Sequence, residues 1–215
     1  MIVKKYLHSC LLLESKGKKL LIDPGAFSFI EGKTSPADIG PVDIILFTHH
    51  HRDHYDPEAL EKILSLKSAY IMAGEQTAEV IEDNDFTCER IRAGEVRDMF
   101  DFTIRAIEGF HEPLPIAVVE NVSFVINETL LHPGDSYAVR EAGAIDVLAL
   151  PVAGPWALVD ALEFARRLNP KTVIPIHDAG LKDFMLERVY ANCLHYFERH
   201  GIIFHPMELG QVMEV

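Results

Sequence analysis

One segment restricts the fold of this chain more than any other: the run VDIILF (42–47) passes directly into THHHRDH (48–54). A nearly all-apolar run of this kind predicts a strand that is covered on both faces. The residues DPE (56–58) supply a helix cap, a proline for the first turn and an early acid, which predicts a helix to about Leu66. The histidines therefore occupy the loop at the carboxyl end of a buried strand, where open α/β sheets place their ligand sites.

The spacing inside this loop indicates metal ligands. Residues two apart in an extended segment point the same way, so we expect His49 and His51 to hold one ion together. Asp53 and His54 lie just beyond them and can face a second ion beside the first. His50 is expected to point away and to be structural. A solvated polar loop is the alternative interpretation, but it does not explain four ligand-type side chains at this spacing directly after a core strand.

Strand and helix patterns alternate along the rest of the chain. Strands are predicted at 2–7, 10–15, 18–23, 68–73, 86–92, 101–107, 116–127, 145–152 and 171–177. Helices are predicted near 75–83, 156–168 and 181–199. Strand-rich segments followed by strand–helix alternation, twice over, predict two packed sheets with helices outside, in the α/β (α+β) class. We expect a single domain over 1–215, with two pseudo-repeated halves at about 1–115 and 116–215.

Three more potential ligands stand at the ends of predicted strands. His111 follows the strand at 101–107, and Asp135 follows a short apolar strand in LHPGDS (131–136). His177 ends the strand at 171–177. Each alone would more often be a structural histidine or a turn aspartate. Their shared position at strand ends predicts that they meet the histidine loop at one edge of the fold, where they would complete a two-metal site.

The charge balance argues against a polyanionic partner. The chain has 20 Lys and Arg against 33 Asp and Glu, and a formal charge of −13. A field of this sign repels a phosphate backbone over long range. We therefore expect a small-molecule substrate and no nucleic-acid partner, and the composition leaves a homo-oligomer open.

Cysteine usage and the length of the apolar runs predict a cytoplasmic protein. Cys10, Cys88 and Cys193 are an odd number of cysteines without a C-x-x-C pair, which favours free thiols in a reducing compartment. The apolar run at 10–13 is too short for a signal peptide, and no run reaches the length of a membrane span. We expect no membrane partner.

The order H-x-H-x-D-H, a lone His, a Gly-Asp pair and a late strand-end His resembles that of the metallo-β-lactamase-fold hydrolases. Within them the chain is most similar to the group around the ascorbate-6-phosphate-lactonase-like proteins, whose opening also resembles HSCLLLESKGKKLLIDPGAFS (8–28). Many relatives have Gly where this chain has Leu7. The chain also lacks room for the large inserted domain of the nucleic-acid-processing members, which weakens such an assignment.

The resemblance implies an αββα sandwich of two mixed sheets, with the metal site at one edge. It also implies two ligand sets joined by a bridging carboxylate. They are His49, His51 and His111 for the first metal, Asp53, His54 and His177 for the second, and Asp135 between them. Because histidines dominate, zinc is the expected metal, and manganese or iron is an alternative that the same ligands accept.

Two more side chains are expected beside the metals. In the family an Asp at the position of Asp23 orients the metal loop by hydrogen bonds, and a turn initiator before Pro24 is the alternative. His8 is predicted to reach the site as a substrate-binding group or proton donor, or else to be a partly buried structural histidine. His8 joins Asp53 and Asp135 in the predicted catalytic set.

Four other side chains have expected places. His132 is predicted to be structural, and Asp178 is predicted to position the loop of His177 without binding metal. Trp156 and Phe110 are predicted either to line the substrate side or to fill the core.

These residues predict a metal-dependent hydrolase. Two divalent ions can activate a shared hydroxide and polarise the substrate, and their positive charge attracts an anion despite the acidic surface. The expected substrate is a small, anionic ester, lactone or phosphodiester. The alternatives are an iron-dependent oxygen or redox enzyme on the same fold and a metal-binding sensor module without turnover.

Overall fold

Two mixed β-sheets pack face to face in the computed structural model, which describes residues 1–115 and 118–215. The strands of the first sheet are β1 Ile2–Lys5, β2 Leu11–Ser15, β3 Lys18–Ile22, β4 Ile44–Phe47, β5 Tyr70–Ala73, β6 Glu89–Arg90 and β14 Val212–Glu214. The strands of the second sheet are β7 Val96–Met99, β8 Phe102–Phe110, β9 Glu120–Ile126, β10 Leu130–His132, β11 Val147–Pro151, β12 Thr172–Ile176 and β13 Ile203–Phe204.

Each sheet joins antiparallel hairpins to parallel strands. The first has the order β14-β1-β2-β3-β4-β5-β6 and is antiparallel as far as β3 and parallel from β3 to β6. The second has the order β13-β12-β11-β10-β9-β8-β7 and is parallel from β13 to β10 and antiparallel beyond. Because β1 and β3 are both antiparallel to β2, strands β1, β3, β4 and β5 all end at one edge of the first sheet.

The inner faces of the two sheets form the central core, which includes Leu46 of β4, Phe124 of β9 and Ile174 of β12. Apolar side chains on the outer faces pack against helices, so that Leu60 and Phe197 are both buried. The helices are α1 Pro36–Ile39, α2 Pro57–Leu66, α3 Glu75–Glu82, α4 Leu158–Leu168 and α5 Asp183–Glu198, with a 3₁₀ segment at Ala26–Gly32. The predicted sandwich of two mixed sheets flanked by helices is confirmed.

The helix after the histidine loop begins as the sequence predicts. Its cap is Asp56, whose Oδ2 accepts a hydrogen bond from the Ala59 backbone N–H at 3.3 Å, and Pro57 occupies the first helical position. This cap ends the loop and so fixes where the metal-binding segment stops.

The chain passes from the first sheet to the second between Arg90 and Val96. Strand β7, with the sequence VRDM, was not predicted, because it alternates half-buried and exposed residues and has no apolar run that marks it as a strand. The described part of the predicted strand at 116–127 is β9, and residues 116 and 117 lie outside the described residues. The pseudo-repeat itself stays a prediction.

None of the described helices is both long enough and apolar enough to cross a bilayer. The thiols of Cys10, Cys88 and Cys193 are buried and free. The cytoplasmic location stays a prediction.

Candidate metal centre

The histidine loop after β4 changes conformation at His51. The backbone N–H groups of His54 and Tyr55 both donate to the His51 carbonyl, at 2.9 and 2.8 Å, so a turn follows the extended part of the loop. The rings of His49 and His51 lie together, with centroids 4.8 Å apart. His50 instead points to the α3 side chain of Thr77, with its Nδ1 3.5 Å from Thr77 Oγ1. The turn then brings Asp53 and His54 back toward His49.

A glycine on the neighbouring loop allows this turn to pack closely. A Cβ atom added at Gly25 would lie 2.2 Å from the backbone C and O atoms of Asp53. The next residue, Ala26, donates its backbone N–H to the Arg52 carbonyl at 2.8 Å. The loop after β3 therefore holds the turn in place, and only a residue without a side chain fits at this contact.

All seven predicted ligands converge at one edge of the sandwich, and His8 lies with them. They form three overlapping groups in which one donor atom per residue lies within 4.8 Å of the others. The groups are His49, His51 and His111; His8, Asp53, His54 and His177; and His49, His54 and Asp135. Donors around a tetrahedral zinc ion are about 3.4 Å apart for bonds of about 2.1 Å, so these groups are close to coordinating distances.

Asp135 lies between the first two groups. Its Oδ2 atom is 3.6 Å from His111 Nε2, 3.9 Å from His49 Nε2 and 3.1 Å from His177 Nε2. Its Oδ1 atom is 3.3 Å from His54 Nε2. The Asp135 carboxylate is therefore close to donors of both groups.

The outer nitrogens of four imidazoles are held by hydrogen bonds that fix the tautomer. Nδ1 of His111 donates to the Glu112 carbonyl at 2.7 Å, and Nδ1 of His177 donates to the Ala153 carbonyl at 2.6 Å. A carbonyl oxygen can only accept, so the proton of each neutral ring is on Nδ1 and the lone pair is on Nε2. Metal-binding histidines are oriented in this way.

A shared network orients the other two imidazoles. The Asp23 carboxylate accepts hydrogen bonds from the Thr48 backbone N–H at 2.8 Å, the Thr48 hydroxyl at 2.6 Å and His54 Nδ1 at 2.8 Å. Because Thr48 gives its hydroxyl proton to Asp23, its oxygen accepts from His49 Nδ1, at 3.0 Å. Asp23 therefore has the orienting position that the sequence predicted.

The inner nitrogens test whether these residues fit a metal. In the described part of the chain, Nε2 of His49, His54, His111 and His177 and Oδ1 of Asp135 are buried without a hydrogen-bond partner. Buried polar atoms in proteins are nearly always paired, and each unpaired one is costly. Four imidazole nitrogens that converge on a carboxylate, each with a lone pair once its ring is neutral, are a donor set that fits divalent cations.

The electrostatics of the cluster favour positive charge. Burial raises the pKa of Asp135, but His177 and His54 together lower it well below its usual value. Burial lowers the pKa of His177, while Asp135 and Asp53 together raise it to about 9. Burial lowers the pKa of His49 well below its usual value. The carboxylates therefore stay ionised and stabilise positive charge beside them, as a cation site requires.

His8 and Trp156 lie against this cluster. His8 is buried, with its Nε2 atom 3.1 Å from Asp53 Oδ2 and its ring centroid 4.1 Å from that of His177. The Trp156 ring centroid lies 5.5 Å from that of His177 and 6.2 Å from that of His111. Trp156 therefore borders the site, whereas the Phe110 side chain is 63% exposed and fills no core position.

Two polar residues lie near the centre but outside the convergent groups. His132 accepts a hydrogen bond from the Gly134 backbone N–H at 3.3 Å, and its Nε2 donates to the Ser9 carbonyl at 2.9 Å. Asp178 accepts from Lys5 and Tyr190. Both positions agree with the structural roles expected of His132 and Asp178.

Sequence reasoning missed the supports supplied by Thr48, Glu112 and Ala153. Thr48 stands inside the histidine segment, so its place beside His49 was the available signal. Glu112 and Ala153 act through backbone carbonyls, which every residue has, and the amino-acid sequence therefore holds no sign of this role.

The two-sheet sandwich and the His/Asp cluster at its edge define a metal-dependent hydrolase of the metallo-β-lactamase fold. The chain belongs to the β-lactamase superfamily, because the profile described as "Beta-lactamase superfamily domain" matches residues 3–177.

Relatives of known sequence or structure agree with this membership. Protein Rv0786c of Mycobacterium tuberculosis is 35% identical over 182 residues, which cover 80% of this chain and 81% of the relative. A UPF0173 metal-dependent hydrolase of Exiguobacterium sp. is 29% identical and covers 96% of this chain and 97% of its own length. The solved structure of Igni18, a metallo hydrolase of Ignicoccus hospitalis, has a TM-score of 0.76 at 21% identity, with 100% of both chains covered, and so shares the fold.

Proposed function

We propose that this chain hydrolyses a compact, anionic ester, lactone or phosphodiester at a pair of divalent metal ions. The observation that carries the proposal is the position of Asp135, whose carboxylate lies within 4 Å of donors from both ligand sets. The first set is His49, His51 and His111, and the second is Asp53, His54 and His177. Seven convergent donors exceed what one four-coordinate ion uses, which supports two ions.

The donor set supports zinc as the metal, with manganese and iron as alternatives. Imidazole nitrogens and carboxylates bind all three, and the supply of each metal helps to decide among them. When bound, the ions supply Lewis-acid polarisation of the substrate and a water made acidic enough to attack it at neutral pH.

The protein's own residues orient the reacting groups. In hydrolysis, the oxygen of water adds to the carbonyl carbon or phosphorus and the bond to the leaving oxygen breaks; one proton of the water passes to that oxygen. Burial lowers the pKa of His8 to about 4, so this ring is neutral at pH 7 and holds its proton at Nε2, facing Asp53 Oδ2. His8 therefore orients the Asp53 carboxylate toward His54 and His177.

The charge of the molecule supports a compact substrate. The formal charge of −13 opposes an extended polyanion, whereas the metal centre attracts one small negative group. The resemblance to the lactonase-like group adds support for a phosphorylated lactone.

The test combines metal content with turnover. Purified protein is reconstituted with zinc, manganese or iron, and its metal content is measured by elemental analysis. We expect about two ions per chain and loss of turnover on chelation. A small phosphodiester and a lactone phosphate are then compared with structured RNA and single-stranded DNA at low salt. The absence of any bound transition metal contradicts the two-metal site, and cleavage of only the polymers makes the protein a nuclease.

A further inference from the structure

A cavity of about 420 Å³ lies beside the metal centre, at the edge where β1 and β12 end. Its walls include Leu7, directly before His8, and Asp178, directly after His177. The backbone N–H of His177 donates to the His8 carbonyl at 3.2 Å, so the two segments that border the cavity also meet at the metal centre.

A third segment borders both the cavity and the site. The 3₁₀ segment places the Phe27 ring 5.1 Å from the His8 ring, and it supplies Ile30 to the wall of the cavity. The cavity therefore borders the segments that carry His8 and His177, whose chain neighbours Leu7 and Asp178 line it.

The cavity wall is mixed, with a slight majority of apolar surface. Its apolar side chains come from the chain after β1, the 3₁₀ segment, the chain before and within α5, and the chain after β13. The aliphatic and thioether residues are Leu7, Ile30, Leu181, Leu186, Met207 and Leu209. A volume of about 420 Å³ lies within the range of roughly 300–1,000 Å³ that is usual for small-molecule sites.

The charges at the cavity do not favour an anion. Lys5, which is 4% exposed, is paired with Asp178 at 2.5 Å, and the Tyr190 hydroxyl donates to the same carboxylate oxygen. The lining contains two lysines, Lys5 and Lys33, against three acids. Because the buried ammonium is already neutralised by its partner, the cavity suits an uncharged group.

We propose that this cavity is the subsite for an uncharged, apolar substituent of the substrate whose anionic reacting group lies at the metal centre. The inference rests on the proposed function, and it specifies the substrate class: an ester or phosphodiester that carries an aliphatic or aromatic group. Burial of each methylene of that group raises kcat/KM about threefold to fourfold while the cavity has room for it.

A binding experiment tests the cavity without turnover. The probe is N-phenylnaphthylamine, an uncharged fluorophore whose emission rises in apolar surroundings, titrated into metal-free and metal-loaded protein. Leu186→Trp fills the cavity, whereas Leu194→Trp places the same ring on an exposed position of the same helix. We expect binding to the wild type and to Leu194→Trp, and at least tenfold weaker binding to Leu186→Trp. If Leu186→Trp does not fold, Leu186→Ala serves instead and is expected to accept a larger fluorophore.

A kinetic experiment tests the connection to the metal centre. Two anionic series are assayed, alkyl p-nitrophenyl phosphates and p-nitrophenyl alkylphosphonates, each with alkyl chains of increasing length. We expect kcat/KM to rise with chain length in the wild type and in Leu194→Trp, and to be flat in Leu186→Trp.

The outcomes separate this inference from the proposed function. Fluorophore binding with hydrolysis that is independent of chain length identifies a site for a separate ligand and overturns the subsite, while the hydrolase stands. Fluorophore binding without hydrolysis of either series contradicts the proposed function and still supports an apolar cavity. No fluorophore binding to any variant overturns the inference.

Discussion

The carboxylate of Asp23 accepts a hydrogen bond from Nδ1 of His54 at 2.8 Å, and both side chains are fully buried. The same carboxylate accepts two hydrogen bonds from Thr48, at the other end of the histidine loop. Asp23, which directly follows β3, thus fixes both ends of the loop that follows β4. The direction of His54 Nε2 is set before any metal arrives.

Asp23→Asn is expected to weaken metal binding about 10- to 100-fold without unfolding the protein. The amide keeps the shape of the carboxylate, but its NH2 group cannot accept the hydrogen bonds that Oδ2 receives from Thr48 and His54. Metal affinity is measured by competition with a chromophoric chelator, and Asp98→Asn at an exposed position is the matched control. Equal affinity in the two variants would show that Asp23 does not orient the loop.

Asp135→Ala is expected to lower turnover by orders of magnitude, and His50→Ala is expected to have little effect. Asp135 lies between both ligand sets, whereas His50 faces Thr77. The metal content of Asp135→Ala should fall below that of the wild type, and that of His50→Ala should not. Comparable losses in both variants would contradict the orientation assigned to the loop.

Gly25→Ala is expected to lower both the melting temperature and the metal content. The new methyl group would lie 2.2 Å from the Asp53 backbone, so the turn that carries Asp53 and His54 has to move. Gly180→Ala is the control, because no atom lies within 4 Å of a Cβ at that position and its φ is not in the left-handed region. Elemental analysis and thermal unfolding are measured on both variants; wild-type metal content in Gly25→Ala would count against the close contact.

Asp43→Asn is expected to destabilise the protein at pH 6 by about 1–2 kcal/mol, and by less near pH 3. Burial raises the pKa of Asp43, but hydrogen bonds from Lys67, the Lys19 backbone and Lys18 lower it to about 2. A carboxyl with a lowered pKa in the folded state stabilises the fold above its ordinary pKa near 4, and this contribution is lost as the pH falls toward 2.

The measurement for Asp43 is thermal unfolding of metal-free protein between pH 6 and pH 3. Asp101→Asn is the control, because Asp101 pairs with a lysine that is 80% exposed and should contribute little. A difference between Asp43→Asn and wild type that does not shrink at low pH would contradict the assigned pKa.

The sequence predicted the polar residues of the site better than their supports. His111, Asp135 and His177 were identifiable because each has a metal-binding side chain and follows a strand pattern. The Ala153 carbonyl was not, because its role depends on where the backbone passes. The hydrogen bond from His177 exists only once β11 and β12 are paired.

In the fold, too, the elements with local sequence signals could be predicted and the others could not. The strand before the histidine loop and helix α2 followed from an apolar run and a helix cap, which are local signals. Strand β7 escaped notice because an edge strand needs no apolar run to pair with β8. The cavity lined by Leu7, Ile30 and Met207 draws on segments far apart in the chain, so no local pattern could reveal it.

The proposed ligands are divided between the two sheets: His49 and His54 follow β4, whereas His111 and His177 follow β8 and β12. A bound ion would thus crosslink the two sheets, and local separation of the sheets would speed its release. The rate of metal release would therefore report on local opening of the core between the sheets. Phe124→Ala, which creates a void between the sheets and removes none of the proposed ligands, should therefore speed the transfer of metal to a chelator.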